Sequence, residues 1–541
     1  MQLIKISEKV ISLVLITVLS ILLESCASIE TDLDEKFNDN QNQPTTTAGA
    51  IDPKGHQLHE IRSTPTPEGP IELTVEEAIL LALENNRSLR VERLNPLIQR
   101  TYEEQERGVF DPLLSGAVSG SREKETLESG TEKTGNEIDV DLGISQFFPT
   151  GTDVEINLST NRTWSDLYSD QHASRIGLSV TQALLRGFGL DVNLARLRQA
   201  RLDTRASQYE VRGFTEALIA LVEETYWNYA LAQRQIEIFL ESLKLAEQQL
   251  SETEELIRVG KLAESELTAA QAEVALRHEG LINARSNLEK TRLRLLQLIN
   301  KPTKNLWQQE IILQYKPTLP EVRLDTVDSH VAVALRMRPD LNEARLRVQR
   351  GHLEIIKTKN GLLPKMDFFI FLGKTGYADS FGRSVRDIDD KYYDVFAGLA
   401  FEYPLKNRDA EARHLRALLS RDQAEESLEN LAQFVQVDVR SAYIEVNRAK
   451  EQIAATAATR KLQEEKVRVE TEKFRFGKST TLLVAQAQRD LLSSQISEVI
   501  TIVNYLKALV ELYLFEGSLL ERRGISVPGR EPVEFEFVFE K

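Results

Sequence analysis

Two hydrophobic periods take turns along this chain, and the sequence of turns occurs twice. From about Asn193 to Val259, and again from about Asp409 to Phe476, apolar residues return every three or four positions with no proline and almost no glycine. That is the period of a helix, and at 1.5 Å per residue each run predicts a helix on the order of 100 Å long. Each stops at a glycine, in Leu256-Ile257-Arg258-Val259-Gly260-Lys261-Leu262 and in Phe474-Arg475-Phe476-Gly477-Lys478-Ser479, and a second helical run follows. Upstream of each hairpin the period changes to two. Ile138, Val140, Leu142 and Ile144 alternate with polar or small residues, as do Val154, Ile156 and Leu158, then Ile176, Leu178 and Val180. The second half repeats this with Phe368, Ile370 and Leu372, then Val395, Ala397, Leu399, Phe401 and Tyr403. Intervening residues such as Asp139, Asp141, Glu155, Asn157 and Glu402 make the other face polar.

Earlier landmarks extend the duplication over most of the chain. Ala82-Leu83-Glu84-Asn85-Asn86-Arg87-Ser88-Leu89 matches Ala334-Leu335-Arg336-Met337-Arg338-Pro339-Asp340-Leu341. Thr74-Val75-Glu76-Glu77 has the capping-box order for a helix start, and Asp325-Thr326-Val327-Asp328 opens the second copy. The offset falls from 252 residues (Leu83 to Leu335) to 217 (Gly260 to Gly477), so the first copy carries 35 residues that the second lacks. We assign them to an added strand hairpin, roughly Glu137 to Thr163. Copy one then offers four strands, counting one near Leu113 to Gly120, and copy two offers two.

Helices this long build a coiled coil or stand as staves in a helical barrel. Alanine-rich seams favour close neighbours: Ala269, Ala270, Ala272 and Ala275 in copy one, Ala485 and Ala487 in copy two. A rod-like coiled coil explains the helices equally well, and a soluble half-buried sheet shows the same period of two. Connection lengths separate the readings. Pro149-Thr150-Gly151-Thr152 reads as a tight turn, whereas Ser121 to Asn136, Trp164 to Ala173 and Gly376 to Lys391 read as long polar loops. Short turns on one side and long loops on the other are the habit of outer-membrane barrels, whose strands run about 9 to 11 residues.

Charge and cysteine content sharpen the setting. The 541 residues carry a formal charge of −16, which disfavours nucleic-acid binding, and one cysteine excludes an internal disulfide. That residue, Cys26, follows a short segment with two lysines, the apolar run Val10 to Leu23, and Glu24-Ser25. This is the layout of an export signal with a lipid-attachment site. Leu23 and Ser25 resemble the outer positions of a bacterial lipobox, Glu24 departs from its small residue, and Ala27 resembles the outer-membrane sorting choice of lipoproteins. No later apolar run approaches the roughly 20 residues of a transmembrane helix, so a membrane span would have to be made of strands.

Once helix, strands and long hairpin are seen to recur, the chain resembles the TolC-like outer-membrane efflux proteins over almost all of residues 71 to 520. Ser179-Val180-Thr181-Gln182-Ala183-Leu184-Leu185-Arg186-Gly187-Phe188-Gly189 resembles that family's strand-to-helix junction, with Phe401-Glu402-Tyr403-Pro404-Leu405 as counterpart. Gly361-Leu362-Leu363-Pro364 resembles its helix-to-strand passage, and the two Gly-Lys turns resemble its periplasmic tip. The resemblance implies a mainly α fold with membrane β structure: a duplicated helix, strand and long helical hairpin, of which three copies form an α-helical barrel continued by a transmembrane β-barrel. It implies the outer-membrane channel of a tripartite efflux or type I secretion system, a passive homotrimeric duct that works with a periplasmic adaptor and an inner-membrane pump. The body would lie in the periplasm, anchored to outer-membrane lipid, with no cofactor and no enzymatic step. The expected organisation is a signal peptide over 1–25, a lipidated tether over 26–70, a first repeat over 71–315 (strands about 113–183, hairpin about 190–299), a second over 316–520 (strands about 364–404, hairpin about 408–516), and a tail over 521–541.

Candidate sites follow from the same reading. Cys26 is the lipidation site. Gly260, Lys261, Leu262, Gly477, Lys478 and Ser479 are the tip residues that dock the adaptor, the alternative being that the glycines are helix caps and nothing more. In this family an acidic ring at the aperture often comes from Asp six and nine residues after the second-copy glycine. Here those places hold Leu483 and Gln486, and Glu264 and Glu266 of the first copy are the candidates to supply the charge. Seven histidines are scattered, with His56 and His59 in the tether, and none joins a set with metal-ligand spacing. No phosphate loop or nucleophile-base set occurs. Acidic helical runs such as Glu223-Glu224 and Glu464-Glu465 read as solvated faces, with a cation-preferring lumen as the other reading. The competing function is a periplasmic coiled-coil adaptor or scaffold lipoprotein with a small soluble sheet.

Overall fold

The computed structural model describes residues 70–126, 132–165, 170–302, 305–314, 323–389 and 392–534. Cys26, the tether through residue 69 with His56 and His59, and the end of the tail lie outside the described residues. The first pass of the duplicated fold runs β1 (Ile71–Leu73), α1 (Val75–Asn85), α2 (Arg87–Glu92), α3 (Asn95–Arg107), strands β2 (Leu113–Thr126), β3 (Glu132–Phe148), β4 (Thr152–Ser165) and β5 (Gln171–Ala183), then α4 (Ala195–Arg258) and α5 (Ser265–Ile299). The second runs β6 (Ile311–Leu313), α6 (Val327–Met337), α7 (Pro339–Gly361), β7 (Lys365–Ala378), β8 (Tyr393–Glu402), α8 (Arg408–Arg475) and α9 (Thr481–Glu516).

Matched ends show why the two passes fold alike. Thr74 accepts a hydrogen bond from the Glu77 amide (3.1 Å) while Glu77 accepts one from the Thr74 amide (2.8 Å), which completes the capping box of α1. Thr326 caps α6 in the same sense, its hydroxyl accepting from the Ser329 amide at 3.4 Å. Helix α5 ends on Asn300 and α9 on Gly517, both left-handed, at φ 39° and 68°. The long helices, 64 and 68 residues, each pair with a partner about half as long, 35 and 36 residues.

The two passes are joined where β1 lies parallel to β6, with Ile71 opposite Ile311 and Leu73 opposite Leu313. Tyr226 and Tyr229 of α4 donate their hydroxyls to the carbonyls of Leu73 (3.2 Å) and Ile311 (3.1 Å), so this two-strand ladder is tied to the long helix. Leu73, Ala78, Val222, Leu295 and Ile299 pack into one core there. The second pass builds its own from Val331, Leu341, Val435, Val439, Val446 and Leu512.

The remaining six strands form one antiparallel sheet in the order β2-β3-β4-β5-β7-β8. They run further than the apolar alternation predicts. Much of the expected loop Ser121 to Asn136 is strand, since β2 continues to Thr126 and β3 begins at Glu132. Both ends of the expected loop Trp164 to Ala173 are strand as well. In Gly376 to Lys391 the strand persists to Ala378, and a short helix over Phe381–Arg386 follows. The cause is that backbone pairing continues where neither face is apolar: Lys124 and Glu132 close the β2-β3 hairpin with an ion pair at 2.5 Å.

One expectation about the helices needs correction, and the alanine seams divide between buried and exposed positions. Of the copy-one alanines only Ala270 is buried in the chain, whereas Ala269, Ala272 and Ala275 are exposed; Ala485 and Ala487 are both buried. Glu223 is no solvated residue. It is 1% exposed and held by Arg523 at 2.5 Å, because the segment after α9 folds back across α4. The tail is likewise packed where it is described: the Val533 amide donates to Asn342 Oδ1 (2.8 Å), and the Tyr209 hydroxyl donates to the Glu531 carbonyl.

Candidate tip, lumen and membrane surfaces

Helix α4 ends with backbone hydrogen bonds from the Gly260 amide to the Ile257 carbonyl (2.9 Å) and from the Lys261 amide to the Leu256 carbonyl (2.8 Å). Helix α8 ends with Gly477 to Phe474 (2.9 Å) and Lys478 to Lys473 (2.8 Å). Both are Schellman closures, and they need a left-handed residue after the cap. Gly260 and Gly477 supply it at φ 79° and 74°.

Around these closures the helices are laced by charge, while the turns stay open. Arg475 of α8 reaches Glu252 of α4 at 2.8 Å, Lys466 reaches Asp490 of α9 at 2.7 Å, and Arg489 of α9 reaches Glu273 of α5 at 2.9 Å. Lys261 and Lys478 are exposed and form no ion pair among the described residues. Beside them stand two apolar residues at equivalent cap positions, Val259 (55% exposed) and Phe476 (79% exposed). Leu262 is half-buried. Ser479 donates its hydroxyl to Glu470 Oε2 (2.9 Å), which ties it to its own helix. Glu264 sits exposed at the start of α5 without a side-chain capping bond, and Glu266 lies half-buried in the first turn. Leu483 and Gln486 are exposed on the opening turns of α9.

At the other end the sheet has two unlike faces. Cross-strand register aligns Leu114 with Ile144, Ile144 with Ile156, Ile156 with Leu178, Leu178 with Leu372 and Leu372 with Val395. Directly opposed residues share a face, so an apolar band crosses all six strands. It is uncovered in the single chain: Val118 is 76% exposed, and Leu142, Ile156, Ile176 and Leu399 are also exposed. The opposite face carries Asp139, Asp141, Glu155, Asn157 and Ser159, and Arg175 pairs there with Asp394 at 2.7 Å. Among the described residues the edge strands β2 and β8 each have one neighbour and one free edge.

The helical body also holds buried charges that periodicity did not reveal. Arg212, 1% exposed, pairs with Glu521 at 2.7 Å and Glu216 at 3.2 Å. Burial pushes the Glu216 carboxyl up to about 7, against the opposing pull of Arg212. His330 Nδ1 lies 3.3 Å from Glu516 Oε1, both deep in the chain. Glu216 is a neighbour of Arg212 on the same helix, whereas Glu521 and Glu516 are brought to Arg212 and His330 from far along the chain, where no local pattern points. Among the described residues no group of His, Cys, Asp and Glu is arranged to hold a metal, and no helix is long and apolar enough to cross a membrane.

Comparison with known proteins agrees with this geometry. The Campylobacter jejuni CmeC outer membrane channel shares the fold with a TM-score of 0.63 at 16% identity, over 89% of this chain and 94% of that one. The Neisseria gonorrhoeae MtrE outer membrane channel in its open state gives 0.61 at 17% identity, over 85% and 96%. The pyoverdine export outer membrane protein OpmQ of Pseudomonas putida is 24% identical over 340 residues, 61% of this chain and 66% of its own, so the match spans just under two thirds of that relative. The model of the outer membrane efflux protein family matches residues 145–301 and 331–518, which takes in the long hairpins of both passes. With more than half of its length matched in that order, the chain belongs to the outer membrane efflux protein family.

Proposed function

We propose that three copies of this chain form a passive export duct, whose strands close a β-barrel in the outer membrane and whose helices form a tunnel in the periplasm. The observation that carries the reading is the six-strand sheet, apolar and uncovered on one face, polar on the other, and open at both edges. Lipid tolerates no open sheet edge and water disfavours so broad an apolar face, so the two requirements are met together when edge strands of neighbouring copies pair. The exposed alanines of α5 suit close contact between neighbouring helices. The soluble adaptor or scaffold alternative leaves the apolar band without a partner.

In this reading Cys26 carries the lipid anchor, the Gly-Lys turns at the tip dock a periplasmic adaptor, and an inner-membrane pump supplies the cargo. Glu264, Glu266, Leu483 and Gln486 lie near the aperture, and no chemistry is performed on what passes. Domain boundaries near residues 25, 70, 315 and 520 belong to the same proposal. It is tested by single cysteines scanned along β2 and β8 and joined with a short bis-maleimide in isolated outer membranes. Crosslinking between β2 of one copy and β8 of the next, yielding species up to three times the monomer mass, is the expected result. A chain recovered as a soluble periplasmic monomer overturns the proposal.

A further inference from the structure

In a chain of net charge −16, one cavity is strongly basic. It has a volume of about 1080 Å³ and lies where the sheet gives way to the helices, between the first turns of α4 and α8 and the last turns of α7. Nine arginines and lysines line it against two carboxylates, Glu354 and Asp409. Some of this charge is answered. Lys357 pairs with Glu354 at 2.7 Å, Arg413 with Asp409 at 2.8 Å, and Arg350 with Asp203 at 3.1 Å. Arg196, Lys406, Arg408 and Arg416 are exposed to the cavity and form no ion pair among the described residues.

The side of the sheet on which it opens follows from an ion pair. Helix α7 packs against both α4 and α8, and residues of all three line the hollow. Arg186, at the cavity wall, reaches Glu402 at 3.9 Å, and Glu402 alternates along β8 with the apolar Val395, Leu399 and Phe401. The cavity is therefore continuous with the polar face of the sheet, away from the apolar band. Helix α8 also opens into it without a side-chain cap, the Asn407 side-chain NH2 donating to the Leu362 carbonyl (3.1 Å). The positive end of that helix dipole adds to the potential, offset in part by Asp409 and Glu411 in the same first turn.

We infer that this basic collar is an anion-binding site inside the duct, and that the duct's cargo is a small polyanion bearing several carboxylate or phosphate groups. The inference rests on the duct reading and names the substrate class for it. Three copies would place twelve unanswered cations around one passage, where low-dielectric walls focus their field. Guanidinium groups in that arrangement suit forked oxyanions. This opposes the cation preference suggested by the acidic helical runs.

The test uses the full-length, detergent-solubilised protein and inorganic pyrophosphate as probe, titrated calorimetrically at low salt, with a parallel measurement of current in planar bilayers. Wild type is expected to bind pyrophosphate with an affinity that falls as salt rises. Arg196→Glu with Arg416→Glu should weaken it at least tenfold, and Lys290→Glu, at an exposed position of α5 outside the cavity, should leave it unchanged. Absence of binding by wild type at millimolar pyrophosphate, or equal affinity in the double variant, overturns the collar. Current without pyrophosphate binding overturns the collar alone, whereas binding without current upholds it and overturns the duct.

Discussion

Gly260 and Gly477 stand 217 residues apart and adopt the same left-handed conformation, at φ 79° and 74°, to close the same pair of hydrogen bonds after two very long helices. No atom crowds the place of an added Cβ at either glycine. A side chain there therefore costs conformational energy alone, about 1 to 2 kcal/mol for the left-handed region. Gly260→Ala and Gly477→Ala should each lower unfolding stability by about that amount, and the pair should be close to additive. Denaturant titration of the full chain measures it. Equal stability of both variants would mean that the turns relax into another closure.

The docking proposed for the same turns is tested separately. Replacing Lys261 and Lys478 with Glu reverses two exposed charges that have no described ionic partner, so trimer levels should be unchanged while crosslinking to the adaptor and export both decline. If crosslinking and export stay normal, these turns are caps and have no further role.

On the sheet, the two faces should respond oppositely to charge. An arginine at Leu142, Ile156, Leu178 or Ile370 would face lipid and should destabilise the inserted state by about 2 to 4 kcal/mol at mid-membrane depth. Ser179→Arg, on the polar face, should be tolerated better; Gly143→Arg is a harsher control, since its Cβ would meet Ser115 Oγ at 2.9 Å. Heat-resistant oligomer recovered from outer membranes reports the difference. Equal damage at both parities would indicate a sheet buried on two faces, as in the soluble alternative.

Glu216 predicts a pH dependence with a definite sign. Its folded-state pKa is raised from 4.5 to about 7, so the folded chain holds a proton that the unfolded chain releases between those values. The contribution is fully present below about pH 4.5 and is lost as pH rises toward 7. At 1.36 kcal/mol per unit its span is at most about 3 to 4 kcal/mol. Glu216→Gln should flatten this part of the stability profile, measured by thermal unfolding from pH 5 to 8. An unchanged slope would show that the carboxyl is charged throughout, held by Arg212.

Cys26→Ser tests the anchor independently of the barrel. The variant should lose its acyl modification, read by mass spectrometry, and still insert through its strands. Loss of both together would make the lipid a requirement for insertion.

Sequence alone determined the local and repeating parts of this protein. Periods of 3.6 and 2 located the helices and strands because each element must bury one side, and that need is written at fixed spacing. Both Gly-Lys turns were legible because only glycine enters the left-handed region cheaply, and Thr74 with Glu77 announced its helix by chemistry confined to four residues. What tertiary structure decided involves residues distant in sequence. Register alone set Leu142, Ile156, Leu178, Leu372 and Val395 in one continuous band. Backbone pairing carried strands through polar stretches where alternation gives no signal. Glu223 looked like a solvated acid until Arg523, 300 residues on, came to cover it. The basic cavity was invisible for the same reason. Arg196 is far along the chain from the stretch that holds Lys406, Arg408 and Arg416, and only the packing of α4, α7 and α8 turns them toward one space, because electrostatic potential depends on distance in the fold and not on distance along the chain.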